Sequence, residues 1–217
     1  MRVSAKARYL FAVFRALPGS EQVATSYAIE GLLRWLRRRR PQHLYEAGAG
    51  LGTLSAAILT TAPVDNASFR YQLEERHVEC RALWERRLGP LVGTDIVRTP
   101  DWTPPPRPFD FVVVDGPHGP YWHHLAPRAI VFFEGNRVTE RADLASALRR
   151  RRRVAWANWR PLDRSKGFWV AHLDPTRLES CRFALVRWRE WGLDRLICPW
   201  TGRWPGWRRR DRGGAEA

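Results

Sequence analysis

The sequence predicts a doubly wound α/β chain with a mostly parallel, seven-stranded sheet, and three observations carry that expectation. Between residues 43 and 173, short apolar runs alternate with amphipathic stretches, the pattern of a parallel sheet with helices on both faces. Residues 109–114 and 129–133 are almost continuously apolar, as strands covered on both sides are. Residues 44–52 end an apolar run in an acid and then a glycine-rich turn, Glu46-Ala47-Gly48-Ala49-Gly50-Leu51-Gly52, before a helical pattern at Leu54, Ala57 and Ile58. A turn stripped of side chains lets a ligand approach the backbone, and a helix start offers unpaired N–H groups.

The elements follow in order. Val3, Ala7, Leu10, Phe14 and Leu17 recur at steps of four and three, which predicts a first helix whose apolar face packs on the domain. Ser20 after Pro18-Gly19 is an N-cap candidate, and Pro41 stops the second helix near Arg39. The first strand spans 43–45 and its helix 53–61. The second strand spans 68–73 and is followed by a helix over 76–88, closed by Gly89-Pro90. A third strand covers 95–98. Residues 100–108 hold five prolines and form a loop. Strands at 109–114 and 129–133 follow, then a helix at 139–151, strands at 154–159 and 166–173, and a helix at 175–191. The rest, 192–217, is irregular and rich in Trp and Arg. One structural domain is expected. Residues 1–41 pack as helices on a core of 42–173, and 174–217 form a helix and tail.

The chain has 217 residues and a net charge of +15. That length suits one domain with a sizeable core. No apolar run reaches the ~18–20 residues that cross a bilayer, and the basic N-terminus lacks the small-residue cleavage site of a signal peptide. Cys80, Cys181 and Cys198 have no metal spacing, and an odd count fits reduced thiols in the cytoplasm. All but two of the 37 basic residues are arginine. Such a charge admits a nucleic-acid partner or an anionic surface. The runs at 37–40 and 149–153 also sit where helix C-termini favour cations.

Several polar residues fall at predicted strand ends, where ligands lie in such sheets. Glu46 ends the first strand. Glu74 follows the second, placed to accept hydrogen bonds from a ribose. Asp101 and Trp102 follow the third, and Trp102 offers a stacking face. Asp115 and His118 follow the fourth. An imidazole is suited to take a proton near neutrality. Glu134 and Asn136 follow the fifth. His123 and His124 lie in the next loop, beside Tyr121 and Trp122.

The Glu46-x-Gly48-x-Gly50-x-Gly52 pattern resembles the first motif of class I S-adenosylmethionine (SAM) methyltransferases. The strand ending in Asp115-Gly116-Pro117-His118 resembles the fourth-strand motif of their small-molecule O-methyltransferase branch. The resemblance implies a Rossmann-like fold and SAM as cofactor. It implies that Glu46 and the glycines hold the methionine part, Glu74 the ribose, and Asp101 with Trp102 the adenine. Asp115 and His118 would then handle a small-molecule or glycan oxygen. In the metal-dependent branch an acid joins an acid–Asn pair around a divalent ion. Asp115, Glu134 and Asn136 resemble that set, with Gly135 as an extra residue. All are oxygen donors suited to Mg2+. The signature of base methylation, Asn or Asp before two prolines and an aromatic residue, is missing, which disfavours nucleobase amino groups. A non-catalytic SAM-binding protein remains an alternative. A dinucleotide oxidoreductase is disfavoured because Thr53 stands where its third glycine belongs.

Overall fold

The computed structural model describes residues 2–61, 69–91, 96–99, 102–116, 118–135, 137–148, 153–159, 167–176 and 179–180. In chain order the helices are α1 (Val3–Arg15), α2 (Ser26–Arg39), α3 (Thr53–Leu59), α4 (Val78–Leu88) and α5 (Val138–Leu148). The strands are β1 (His43–Ala47), β2 (Arg70–Glu74), β3 (Ile96–Thr99), β4 (Phe109–Val114), β5 (Leu125–Glu134), β6 (Val154–Trp159) and β7 (Phe168–Leu173). One sheet holds the strands in the order β3-β2-β1-β4-β5-β7-β6. Strands β1 to β5 pair in parallel, and β7 runs antiparallel to both β5 and β6. Strand order reverses between β1 and β4, so a crevice opens beyond their C-terminal ends.

Alternation along the strands sorts side chains onto two faces. Leu44, Tyr71, Phe111 and Phe132 face α1, α2, α3 and Trp84 of α4. Tyr45, Val112, Val131 and Phe133 face α5 and a 3-10 turn at Tyr121–His124. Fully burying a side chain such as Ile29, Leu32 or Phe111 contributes about 1.5–3 kcal/mol each. Helix α1 buries Ala7, Leu10 and Phe14, three positions of the predicted stripe, so its apolar face does pack on the domain. Among the described residues no helix is long and apolar enough to cross a membrane. The segments 181–217 and 149–152 lie outside the described residues. With them go most of the expected C-terminal helix, the tail, Cys181, Cys198 and most of two arginine runs.

Two boundaries differ from expectation for identifiable reasons. Ser20 does not cap α2. Its hydroxyl donates to the Arg15 carbonyl at 2.8 Å, and the Arg15 guanidinium returns a bond to the Ser20 carbonyl at 2.7 Å. The serine therefore closes the turn after α1, inside a 3-10 turn at Ser20–Gln22. Helix α2 begins six residues later, where the Thr25 hydroxyl accepts the Ala28 N–H. Strand β5 begins at Leu125 rather than at 129. Leu125 pairs with Phe109 and Ile130 with Phe111. The residues between form an irregularity in which Arg128 takes a left-handed conformation (φ +64°), so Pro127 costs the ladder nothing.

Gly31 sets how closely α2 sits on the sheet. A β-carbon there would lie 2.3 Å from the Phe168 ring, which is stacked on Phe132 at 4.8 Å. Gly31→Ala is expected to lower the urea midpoint of unfolding. The overpacking costs about 1–3 kcal/mol, against about 1 kcal/mol of recovered helix propensity. Trimming the ring in Gly31→Ala/Phe168→Leu should restore part of the loss. An unchanged midpoint for the single variant would show that the ring yields freely.

Candidate cofactor and acceptor site

The glycine turn closes over the strand-order reversal. Gly48 (φ +77°) donates to the Glu74 carbonyl at 2.9 Å, and Asp115 donates to the Ala47 carbonyl at 2.9 Å. These bonds prolong the β2–β1–β4 ladder by one step and press two turns together. A β-carbon on Gly48 would lie 2.7 Å from the backbone nitrogen and α-carbon of Gly116. Gly50 differs. Its φ is +53°, and nothing stands within 4 Å of where its β-carbon would be. The turn thus has a closed side, at Gly116, and an open side, at Gly50. Gly52 fits under Leu88 and Trp84, which seats α3 against α4.

Glu46 lies within β1, fully buried, with Ser55 donating at 2.7 Å and the Tyr71 hydroxyl also donating to its Oε2. Its Oε1 has no partner among the described residues. Burial pushes the Glu46 carboxyl up to about 7, against the pull of its two hydroxyl donors. A buried acceptor left over beside a ligand-sized turn is the kind of atom a cationic or N–H group on a ligand would satisfy.

Glu74 lies on the opposite face of the sheet from Glu46. Its Oε2 accepts the Tyr45 hydroxyl at 2.5 Å and the Gly119 N–H at 3.3 Å, while Oε1 accepts Arg76 at 3.0 Å. The carboxylate is therefore engaged. Arg76 is its one replaceable partner, because that side chain is half exposed. Glu75, to which the sequence assigned no role, is the acid that reaches the glycine turn. It is buried, and its carboxylate accepts the Gly50 N–H at 2.6 Å and the His77 N–H at 2.8 Å. An anion already sits on the open N–H of the turn.

Trp102 packs edge-on against Tyr45, with ring centres 5.3 Å apart. A β-carbon on Gly119 would lie 2.2 Å from its ring. Trp102 and Glu74 thus share two neighbours, Tyr45 and Gly119. The proline-rich loop behind Trp102 is tied to β2 by Gln72, which donates to the Thr103 carbonyl at 2.6 Å. Asp101 lies outside the described residues.

Asp115 and His118 part company after β4. No hydrogen bond or ion pair joins them among the described residues. The His118 ring stands edge-on to Tyr121 and Trp122, with Nδ1 3.0 Å from the Gly119 carbonyl. A carbonyl only accepts, so in the neutral ring Nδ1 carries the proton and Nε2 the lone pair. His123 lies near Trp122 and His124 near Trp102, so both belong to the aromatic wall.

Asp115 turns instead towards Glu134 and Arg137. Burial and the neighbouring Glu134 hold its carboxyl well above the usual range, against the pull of Arg137. Burial likewise raises Glu134, against the pull of Arg137, the Asp115 carboxyl and the Thr25 N–H. The Arg137 guanidinium pairs with the Asp115 carboxylate and carbonyl, and its Nε donates to the Glu134 carbonyl at 3.2 Å. Two of the three expected metal ligands do meet, while Asn136 lies outside the described residues. The pair does not fit a divalent ion. Arg137, a permanent cation, is already paired with Asp115, and burial pushes both carboxyls towards their protonated forms, whereas a metal needs deprotonated oxygens. Arg137 was not legible as a site residue. Its position three residues after Glu134 was the only signal.

Glu46 carries a pH signature. Its carboxyl is protonated more readily folded than unfolded, so its contribution is fully present below its ordinary value of 4.5. That contribution is lost as pH rises through about 7, a change of up to about 3 kcal/mol. Glu46→Gln should therefore gain on the native protein between pH 4.5 and pH 8, read from urea midpoints. Parallel pH profiles for the two proteins would refute the burial of a titrating Glu46.

No family model and no curated protein matches the chain. Solved structures do. The O-methyltransferase TomG of Streptomyces achromogenes, in complex with SAM and involved in tomaymycin synthesis, is 16% identical. It has a TM-score of 0.55 over 81% of this chain and 91% of its own. An O-methyltransferase of Bacillus cereus in complex with S-adenosylhomocysteine (SAH) is 9% identical. Its TM-score is 0.53 over 79% and 90% of the two chains. A SAH-bound methyltransferase of Podospora anserina is 12% identical, with a TM-score of 0.55 over 81% and 89%. At these identities the likeness establishes the fold, and the chain has the Rossmann-like fold of class I SAM-dependent methyltransferases.

Proposed function

We propose that the chain is a SAM-dependent methyltransferase acting on an oxygen of a small molecule or glycan. The observation that carries this is the half-open glycine turn at the strand-order reversal, open over Gly50 and closed over Gly48, with the unpartnered Glu46 Oε1 behind it. The likeness to O-methyltransferase structures supports it.

The residues present fit an adenosyl ligand. The turn and Glu46 would hold the methionine part. Glu74 would take the ribose hydroxyls on Oε1 once they displace the half-exposed Arg76. Trp102 and Asp101 would border the adenine. When bound, the sulfonium supplies an already activated methyl group. The chain then has two tasks, holding the acceptor in line and removing its proton. His118 Nε2 would take the acceptor's proton, and the acceptor oxygen would receive the methyl group as the carbon–sulfur pair left with sulfur as a neutral thioether. The second reading, a nucleic-acid acceptor, draws on the net charge. Yet the arginines at 37–40 precede β1, at the sheet end away from the crevice. There Arg39 contacts His172 and Glu179, and Arg128 also pairs with Glu179.

Calorimetric titration should show micromolar binding of SAM and SAH and none of NAD. Gly50→Arg should weaken both at least about 100-fold, roughly 3 kcal/mol. Absence of adenosyl binding in a folded protein would remove the proposed activity. Once an acceptor is found by screening, His118→Gln should cut turnover about 10²–10⁴-fold while leaving the SAH affinity unchanged. Equal loss of both would make His118 a packing residue.

A further inference from the structure

We propose that Arg137 is the resident cation of the acceptor pocket. It stands where a divalent ion would sit between Asp115 and Glu134, and it pairs with an acceptor oxygen that bears negative charge once His118 has taken its proton, such as a phenolate. The placement of Arg137 stands on the geometry alone, and the pairing with an acceptor rests on the methyltransferase reading.

The ends of β4 and β5 are adjacent in the sheet, so Asp115 and Glu134 are brought side by side by the register. Arg137 is then folded back over both. Its φ of +29° is one that side-chain-bearing residues rarely adopt, so the backbone is bent to aim this side chain. Three contacts fix the guanidinium: the Asp115 carboxylate, the Asp115 carbonyl and the Glu134 carbonyl. Both Nε and Nη2 are spent on these contacts, and Nη1 has no partner among the described residues. The side chain is 31% exposed, so its remaining N–H groups reach solvent at the mouth of the crevice.

Charge matching gives the ligand class. Arg137 compensates Asp115 through their ion pair, and burial pushes both carboxyls towards their neutral forms. An anionic oxygen can pair with the free N–H edge without meeting an uncompensated carboxylate. A guanidinium binds such oxygens through charge-assisted hydrogen bonds and cannot be deprotonated. It would hold the acceptor as an anion and fix its direction, without a metal.

The test has two arms, each run on the full chain. Mn2+ is titrated by electron paramagnetic resonance into the native protein, Arg137→Ala and Arg137→Gln, with melting curves to show that each variant folds. The native protein should leave the free-ion signal unchanged. At least one variant should gain a single Mn2+ site that a further Glu134→Gln removes. A stoichiometric site in the native protein, or none in any folded variant, overturns the assignment of Arg137 as the resident cation. In the second arm, benzoate is titrated calorimetrically in the presence of SAH. Arg137→Ala should weaken benzoate at least tenfold (~1.4 kcal/mol), and Arg137→Lys should recover part of the loss. Equal benzoate affinity across the three overturns the acceptor class. Failure of SAH to bind at all would remove the methyltransferase reading and leave the Mn2+ result standing.

Discussion

The close approach of Gly48 to Gly116 is the constraint on which the site depends. Two turns leave adjacent parallel strands at the strand-order reversal, and they touch main chain to main chain. That contact lets β1 and β4 end at the same height, which puts Glu46 and Asp115 at the crevice floor. It also leaves the rest of the glycine turn facing outward. The Gly48 N–H to the Glu74 carbonyl and the Asp115 N–H to the Ala47 carbonyl are the two hydrogen bonds that hold the turns in register.

The two acids read from the first two strands work on opposite faces. Glu46 shares its face with Ser55 and Tyr71, and Glu74 shares the other with Tyr45 and Trp102. Each carboxylate is oriented by a tyrosine hydroxyl from the neighbouring strand. Burial holds both phenols above their usual titration range, so they act as donors. A ligand spanning both faces must pass over the C-terminal end of the sheet at Gly50, the one glycine of the turn with open space at its β-carbon position.

Much of the fold was legible because it is written in local signals. Apolar runs mark β4 and β5, Pro41 ends α2, and glycines follow β1. The glycine turn was legible for the same reason. Features decided by contacts between distant segments were not. Ser20 resembles a cap in sequence, but Arg15 captures its hydroxyl. Glu74 and Glu75 are adjacent acids with nothing local to say which would face the glycine turn. Strand parity sends Glu74 to the Tyr45 face and leaves Glu75 to reach Gly50. Asp115 and His118 look like partners at a spacing of three, yet the turn between them sends one to Arg137 and the other to Tyr121. Arg137 was invisible among so many arginines, since only its backbone conformation sets it apart.

The backbone N–H of Thr25, the residue that also caps α2, pulls the Glu134 carboxyl down against burial. Thr25 and Glu134 lie far apart along the chain, so this contact closes a large loop. Ordering such a loop is entropically costly until most of the intervening sheet is in place. That contact is therefore complete only when β5 has joined the sheet and α2 has docked. Helix α2 thus reaches the electrostatics of Glu134 as well as the packing. A change that merely loosens the docking of α2 reaches the carboxyl pair without touching it.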